Sequence, residues 1–225
     1  MISRIFILTA LLTTVVVAAF SQVSQPTPVS SPELKKTNER PVEKSAAAEP
    51  FDKADVKMMA SKCVKFESDV GDIEMEMFPE TAPESVRNFL NLVATGLLDT
   101  TTFSRVVRGF VIQGGNIWSR EGGVNQAMGA RARRKVPDEP SKILHERGIV
   151  SMARTDEPNS ATTNFFILVG NGSHLDGSFA AFGRVTKGMD VTDAINKAPV
   201  VEEKPEKPVR IRKASIIGCV ATPTN

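Results

Sequence analysis

The chain has 225 residues, 41% hydrophobic and 24% charged, enough for one domain of ordinary size with flanking segments. Its 28 Lys and Arg against 26 Asp and Glu leave a formal charge of +2, so there is no bulk electrostatic case for nucleic acid. Two His and two widely separated Cys offer no zinc-binding spacing, and the aromatic content is twelve Phe and one Trp without Tyr.

Residues 1–21 read as an export signal. Arg4 supplies the positive charge, residues 5–20 are apolar and uncharged, and Ala18, Ala19 and Ser21 are the small residues that signal peptidase needs. The apolar run falls short of the ~20 residues of a spanning helix, so cleavage is favoured over an uncleaved anchor. The expected destination is therefore secreted or periplasmic. Residues 22–60 carry Pro26, Pro28, Pro32, Pro41 and Pro50 among Ser, Ala, Lys and Glu, with almost no apolar periodicity. They read as a disordered tether, with a short helical turn within 52–61, ahead of a folded domain at 61–222.

The domain opens with two alternating runs, Cys63-Val64-Lys65-Phe66 and Ile73-Glu74-Met75-Glu76-Met77, joined by Asp69-Val70-Gly71-Asp72. This is the pattern of a half-buried hairpin. Thr81 stands three residues before Glu84 with Pro83 just inside, which predicts a capping box at a helix start. Val86, Phe89, Leu90 and Val93 mark that helix's buried face, and Gly96 is placed to end it. Further strands are expected at 102–107, 110–114, 148–153, 165–169 and 181–185. A short helix at 190–196, a Pro- and Glu-rich loop at 198–208 and a last strand at 209–220 complete the chain. Residues 116–141 read as one long loop, with Arg131, Arg133, Arg134 and Lys135 as a solvated face and Trp118 as loop packing. Many short strands with two helices argue for a barrel or sandwich. Cys63 in the first strand and Cys219 in the last are candidates to pair in an exported protein, although strand neighbourhood alone does not set the Cα separation.

Gly114-Gly115 and Gly122-Gly123 lack the Lys and spacing of a phosphate loop, and no Ser sits in a Gly-x-Ser-x-Gly elbow. His145 and His174 read as surface or loop residues. What stands out is the stretch from Phe103 through Asn116, where Arg105 and Gln113 interrupt apolar surroundings. Period-two geometry puts Phe103, Arg105 and Val107 on one strand face, and Val111 and Gln113 together on a face of the next strand. From the residues alone this is either a site or a structural ion pair.

The spacing Phe103-x-Arg105-Val106-x-x-x-Phe110-x-x-Gln113-Gly114-Gly115 resembles the core motif of the cyclophilin family. So do Gly71-Asp72-Ile73, Phe78-Pro79, Ala82-Pro83, Val86-x-Asn88-Phe89, Ser151-Met152-Ala153-Arg154, Phe165-Phe166-Ile167 and Leu175-Asp176-Gly177-x-x-x-Ala181-Phe182-Gly183, in the family's order. The resemblance covers about 62–220. It implies an all-β fold, a closed eight-stranded antiparallel β-barrel capped by two α-helices. It also implies a peptidyl-prolyl cis-trans isomerase that needs no cofactor or metal, takes Pro-containing polypeptides and assists the folding of exported proteins. A monomer is expected, with no membrane association once the signal is removed.

Carried over by position, Arg105 is similar to the family's catalytic arginine, with Phe110 and Gln113 completing the catalytic group. Val111, Phe166, Leu175 and Phe179 resemble walls of the proline pocket, and Ala153, Arg154, Thr155 and Asn164 the adjoining groove. Arg154 stands where many members have Asn, so the resemblance transfers its main chain rather than its side chain. Ser104 replaces a common His, Phe179 another, and Asn164 the usual Gln. His174 stands where cyclosporin-sensitive members carry Trp, which predicts weak binding of that drug.

Overall fold

The computed structural model describes residues 48–219. The export segment, residues 22–47 of the tether and residues 220–225 lie outside the described residues.

The first elements follow from local pattern. In β1 (Lys62–Ser68) Val64 and Phe66 are buried, and in β2 (Gly71–Met77) Ile73, Met75 and Met77 alternate with half-exposed acidic residues. Ser68 pairs with Gly71, leaving Asp69-Val70 as the hairpin turn. Helix α2 (Pro83–Ala94) buries Val86, Phe89, Leu90 and Val93 as expected. It ends in a Schellman motif: Gly96, at φ 68°, donates to Val93 O, and Leu97 to Leu92 O. The N-terminus differs from the expected capping box. Ala82 is the N-cap without a side-chain bond, and the Glu139 carboxylate accepts from the main-chain N–H groups of Glu84 and Ser85 at 2.9 and 2.8 Å. A carboxylate 55 residues away thus supplies the anion that the helix end favours.

The described end of the segment read with the tether, 48–60, packs on α2. Phe51 donates its N–H to Asn91 Oδ1 at 2.8 Å, and Phe51, Ala54 and Met59 are buried. Within it α1 (Val56–Ala60) is capped by Asp55, whose side chain accepts from Met58 N.

The remaining strands are β3 (Arg105–Val107), β4 (Val111–Gly114), β5 (Ile149–Met152), β6 (Phe165–Leu168), β7 (Ala181–Lys187), the short pair β8 (Val200–Val201) and β9 (Lys204–Pro205), and β10 (Ile211–Gly218). Eight of them form one antiparallel sheet in the order β10-β1-β2-β7-β5-β6-β4-β3. Its ladder stops at β3 and β10, so the sheet is open and curled rather than the closed barrel expected. Thr100 adopts a φ of 60°, and the expected strand at 102–107 is reduced to three ladder residues, with Thr102 forming only isolated bridges to Asn116 and Arg210. Only separate main-chain bonds link that stretch to the other edge, among them Ile211 N to Thr101 O and Phe103 N to Val209 O.

Four α-helices occur among the described residues rather than two. Besides α1, α3 (Gln126–Ala132) forms inside the stretch read as a loop, its start capped by Asn125 accepting from Met128 N. Arg131 on this helix is largely buried against Glu49 and Asn88, so the basic run is not wholly a solvated face. Trp118 is 62% exposed, and its neighbour Ile117 does the packing that was assigned to it. The fourth helix is α4 (Met189–Asn196). No helix among the described residues is long and apolar enough to cross a membrane.

The main core is a cluster of phenylalanines. Phe89 of α2 lies 4.9 Å from Phe182, 5.3 Å from Phe165 and 6.1 Å from Phe66, and Phe103 lies 6.4 Å from Phe165. Each such burial contributes roughly 1.5–3 kcal/mol. Phe103 was expected beside Arg105, but it precedes the ladder, so strand parity does not reach it. Cys63 and Cys219 form a disulfide with their Cα atoms 4.9 Å apart, tying β1 to the end of β10. Closing so long a loop is worth ~5 kcal/mol in the chain-entropy model.

Candidate functional site

Alternation along β3, β4 and β6 sends Val106, Ile112, Phe165 and Ile167 into the main core and leaves Arg105, Val107, Val111, Gln113 and Phe166 on the opposite face. The register then lines up one row across four strands: Arg105 opposite Gln113, Gln113 opposite Phe166, and Phe166 opposite Ser151. Within it the Arg105 guanidinium, 45% exposed, donates Nη1–H to Gln113 Oε1 at 3.3 Å. Its Nε–H donates to Glu203 Oε2 at 2.7 Å.

Beside this cation lies a second apolar cluster, separate from the phenylalanine core. Val111, Ile149, Phe166, Leu168 and Ala181 form its buried part, and Phe110, Leu175, Phe179, Ala153 and Val107 pack on it half-exposed. The Phe166 and Phe179 rings meet in a T-shaped arrangement, centroids 6.0 Å apart, and Phe110 lies 5.1 Å from the exposed His174 ring. Every expected wall residue is thus in one place.

The expected groove residues adjoin it. Ala153 N–H donates to Asn164 O at 3.0 Å. The Arg154 guanidinium stacks 4.7 Å over Phe179 and donates to Thr155 O and Ser178 O, so its side chain as well as its main chain belongs to the rim. Thr155 bonds Ser160 Oγ through both its N–H and its hydroxyl. Gly115, at φ 87°, allows the chain after Gln113 to press against β6's lead-in, since a Cβ there would sit 2.1 Å from Thr163 O.

Two buried braces hold the site. Asn196 of α4 accepts from Gly109 N–H and donates to Val107 O and Val111 O, satisfying the turn of the hairpin that carries Arg105 and Gln113. His145, expected as a surface or loop residue, stands in a loop but is 1% exposed, with Asp176 3.1 Å from its Nδ1 and Ser151 Oγ 3.0 Å from Nε2. The carboxylate only accepts, so Nδ1 donates to it, and Ser151 Oγ, which can donate or accept, completes the Nε2 side. The His145 main-chain N–H, 2.7 Å from the same carboxylate oxygen, holds the Asp176 carboxyl below the usual range, and the ring adds to it. Although Ser, His and Asp stand in line, Ser151 is fully buried, so no substrate reaches its hydroxyl. The line instead ties Leu175's segment to β5.

Sequence reasoning missed Glu203, Asn196 and the role of His145. A Glu-rich loop was legible, but which carboxylate reaches an arginine 98 residues away was not.

Residues 63–216 match the family described as cyclophilin type peptidyl-prolyl cis-trans isomerase/CLD. A peptidyl-prolyl cis-trans isomerase of Acinetobacter baylyi is 34% identical over 168 residues, 70% of this chain and 87% of that one. Peptidyl-prolyl cis-trans isomerase CYP23 of Arabidopsis thaliana is 38% identical over 146 residues, 64% of this chain and 65% of that one. Among solved structures, a Cryptosporidium parvum cyclophilin type peptidyl-prolyl cis-trans isomerase in the presence of dipeptide ala-pro is similar with a TM-score of 0.60. It is 26% identical and is covered over 99% of its length, against 70% of this chain. The row of Arg105, Gln113 and Phe166 lies inside the matched segment, and the chain belongs to the cyclophilin-type peptidyl-prolyl cis-trans isomerase family.

Proposed function

We propose that this peptidyl-prolyl cis-trans isomerase works through Arg105, with the apolar cluster around Phe166 as the proline pocket, on Xaa-Pro bonds of exported polypeptides. The barrier is ~18–20 kcal/mol because amide resonance gives the C–N bond partial double-bond character. A guanidinium N–H can bond the prolyl nitrogen only once resonance is broken and a lone pair appears. The interaction is therefore stronger in the twisted state than in either planar ground state, which is the condition for lowering the barrier. Arg suits the task because it stays protonated and its donors are rigidly placed.

In this reading Val111, Phe166, Leu175 and Phe179, with Phe110, hold the ring still while the acyl side turns. Gln113 serves twice, accepting from Arg105 and bonding the substrate backbone. Ala153, Arg154, Thr155 and Asn164 line the path of the preceding residues. The observation that carries the reading is the placement of a half-exposed guanidinium in one register row with Gln113 and Phe166. An exchange or protease-coupled assay on a short Xaa-Pro peptide tests it. Acceleration by the wild type and ~100-fold less by Arg105→Ala are expected; no acceleration, or equal activity of the two, rejects it.

Export is proposed from the signal-like residues 1–21, supported by the Cys63–Cys219 disulfide, since such bonds persist in oxidising compartments. N-terminal sequencing of protein recovered from the cell envelope or medium checks it, an intact Met1 counting against cleavage. The domain acts as a monomer in this reading, and His174 in place of Trp weakens cyclosporin. A sub-micromolar dissociation constant for that drug overturns the last point.

A further inference from the structure

Glu203 reaches Arg105 from a hairpin whose construction costs backbone strain. Strands β8 and β9 are joined by Glu202 and Glu203, with φ of 49° and 65°, the left-handed pair of a type I′ turn. Asn-Gly meets that requirement readily; two glutamates do not. The turn is nonetheless docked on the free edge of β3, where Glu203 O accepts from Val106 N–H at 2.8 Å. That main-chain bond places the Glu203 carboxylate 2.7 Å from Arg105 Nε.

The guanidinium is consequently held at two of its three nitrogens, Nε by Glu203 and Nη1 by Gln113. No group among the described residues accepts from Nη2. An exposed ion pair between two free side chains is weak, because both must be ordered to form it. Here the hairpin's attachment to β3 fixes one partner in advance, and strain kept at a functional arginine has a reason.

We propose that Glu203 is a positioning residue for the isomerisation: its carboxylate takes Nε and turns the guanidinium so that Nη2 is the donor presented to the prolyl nitrogen. The proposal rests on the reading of Arg105 as the catalytic donor. Because it acts through Arg105 and does not touch substrate, its removal lowers kcat and leaves KM in place.

The test compares wild type, Glu203→Gly, Glu203→Gln and Arg105→Ala. Glu203→Gly suits the left-handed backbone and keeps the carbonyl that binds Val106, so the hairpin stays folded and thermal stability is unchanged or higher. The expected result is a ~10-fold fall in kcat at constant KM. Glu203→Gln keeps an acceptor oxygen in the same place and recovers most of the rate. In 15N NMR spectra the Arg105 Nε–H resonance, protected in wild type and in Glu203→Gln, exchanges with water faster in Glu203→Gly. An inactive Arg105→Ala beside a Glu203→Gly of wild-type or higher kcat overturns the proposal alone, as does an Nε–H signal indifferent to the substitution. Full activity of Arg105→Ala overturns the catalytic reading and this proposal with it.

Discussion

The two faces of β4 and β6 are made from the same eight residues and do different work. Inward, Ile112, Phe165 and Ile167 are fully buried against α2's Phe89 and the rest of the phenylalanine core. Outward, Val111 and Phe166 pack with Ile149 and Ala181 of the neighbouring strands, and this smaller cluster with Gln113 is bordered by loops and edges: the 173–179 segment, the β8–β9 hairpin and the rim at Arg154. The inner face is therefore a packing problem, in which volume decides. The outer face is a presentation problem, in which a few long-range polar contacts decide where one cation points.

The largest test of this division is Phe165→Ala beside Phe166→Ala. Emptying the Phe165 site costs ~3–5 kcal/mol in denaturant unfolding, while the molecules still folded keep their activity. Phe166→Ala costs less stability but most of kcat/KM, and equal unfolding costs for the two would break the division. Next, Cys63→Ser with Cys219→Ser removes a tie on the β1–β10 side, lowering stability by ~2–5 kcal/mol with kcat unchanged. A change in kcat there would mean that the site feels the far edge. Asn196→Ala crosses between the faces. It strands the Gly109 N–H and takes a donor from the Val107 and Val111 carbonyls, so a loss of ~1–3 kcal/mol is expected together with lower activity, because the freed turn carries Arg105's hairpin.

The smallest effect is an acid one on the inner side. The Glu49 N–H, then Arg134 and Asn91, hold the Asp52 carboxyl below its ordinary range. A depressed carboxyl stabilises the fold above its unfolded pKa of ~3.9, and that contribution, at most about 1 kcal/mol, is lost as pH falls from there through the folded value. Amide protection factors in residues 49–59, corrected for the intrinsic pH dependence of exchange, should therefore fall below about pH 4, before the sheet itself opens.

How much was legible follows from how local each feature is. Helix α2's apolar stripe, its end at Gly96 and the β1–β2 hairpin are read correctly because periodicity and turn chemistry act within a few residues. The expected wall residues gather as one cluster because strand parity and the family motif agree on them. Thr81 fails as a cap because Glu139 takes the helix's N–H groups from another segment, and Phe103 faces the main core because it lies outside the β3 ladder that parity describes. His145 is the loop residue it was read as, but its burial shows only once Asp176 and Ser151 are brought to its two nitrogens.

The amino-acid sequence by itself determined which residues could form a site here: an arginine and a glutamine at matching strand positions, bordered by apolar side chains, with the family that such spacing implies. Tertiary structure alone decided that the sheet's edges stay unpaired as a ladder, that Cys63 meets Cys219, and that Glu203 rather than its neighbours takes Arg105 Nε. The reason is the same each time. Periodicity constrains a residue's face, whereas pairing over a hundred positions depends on register and loop geometry that no local pattern carries.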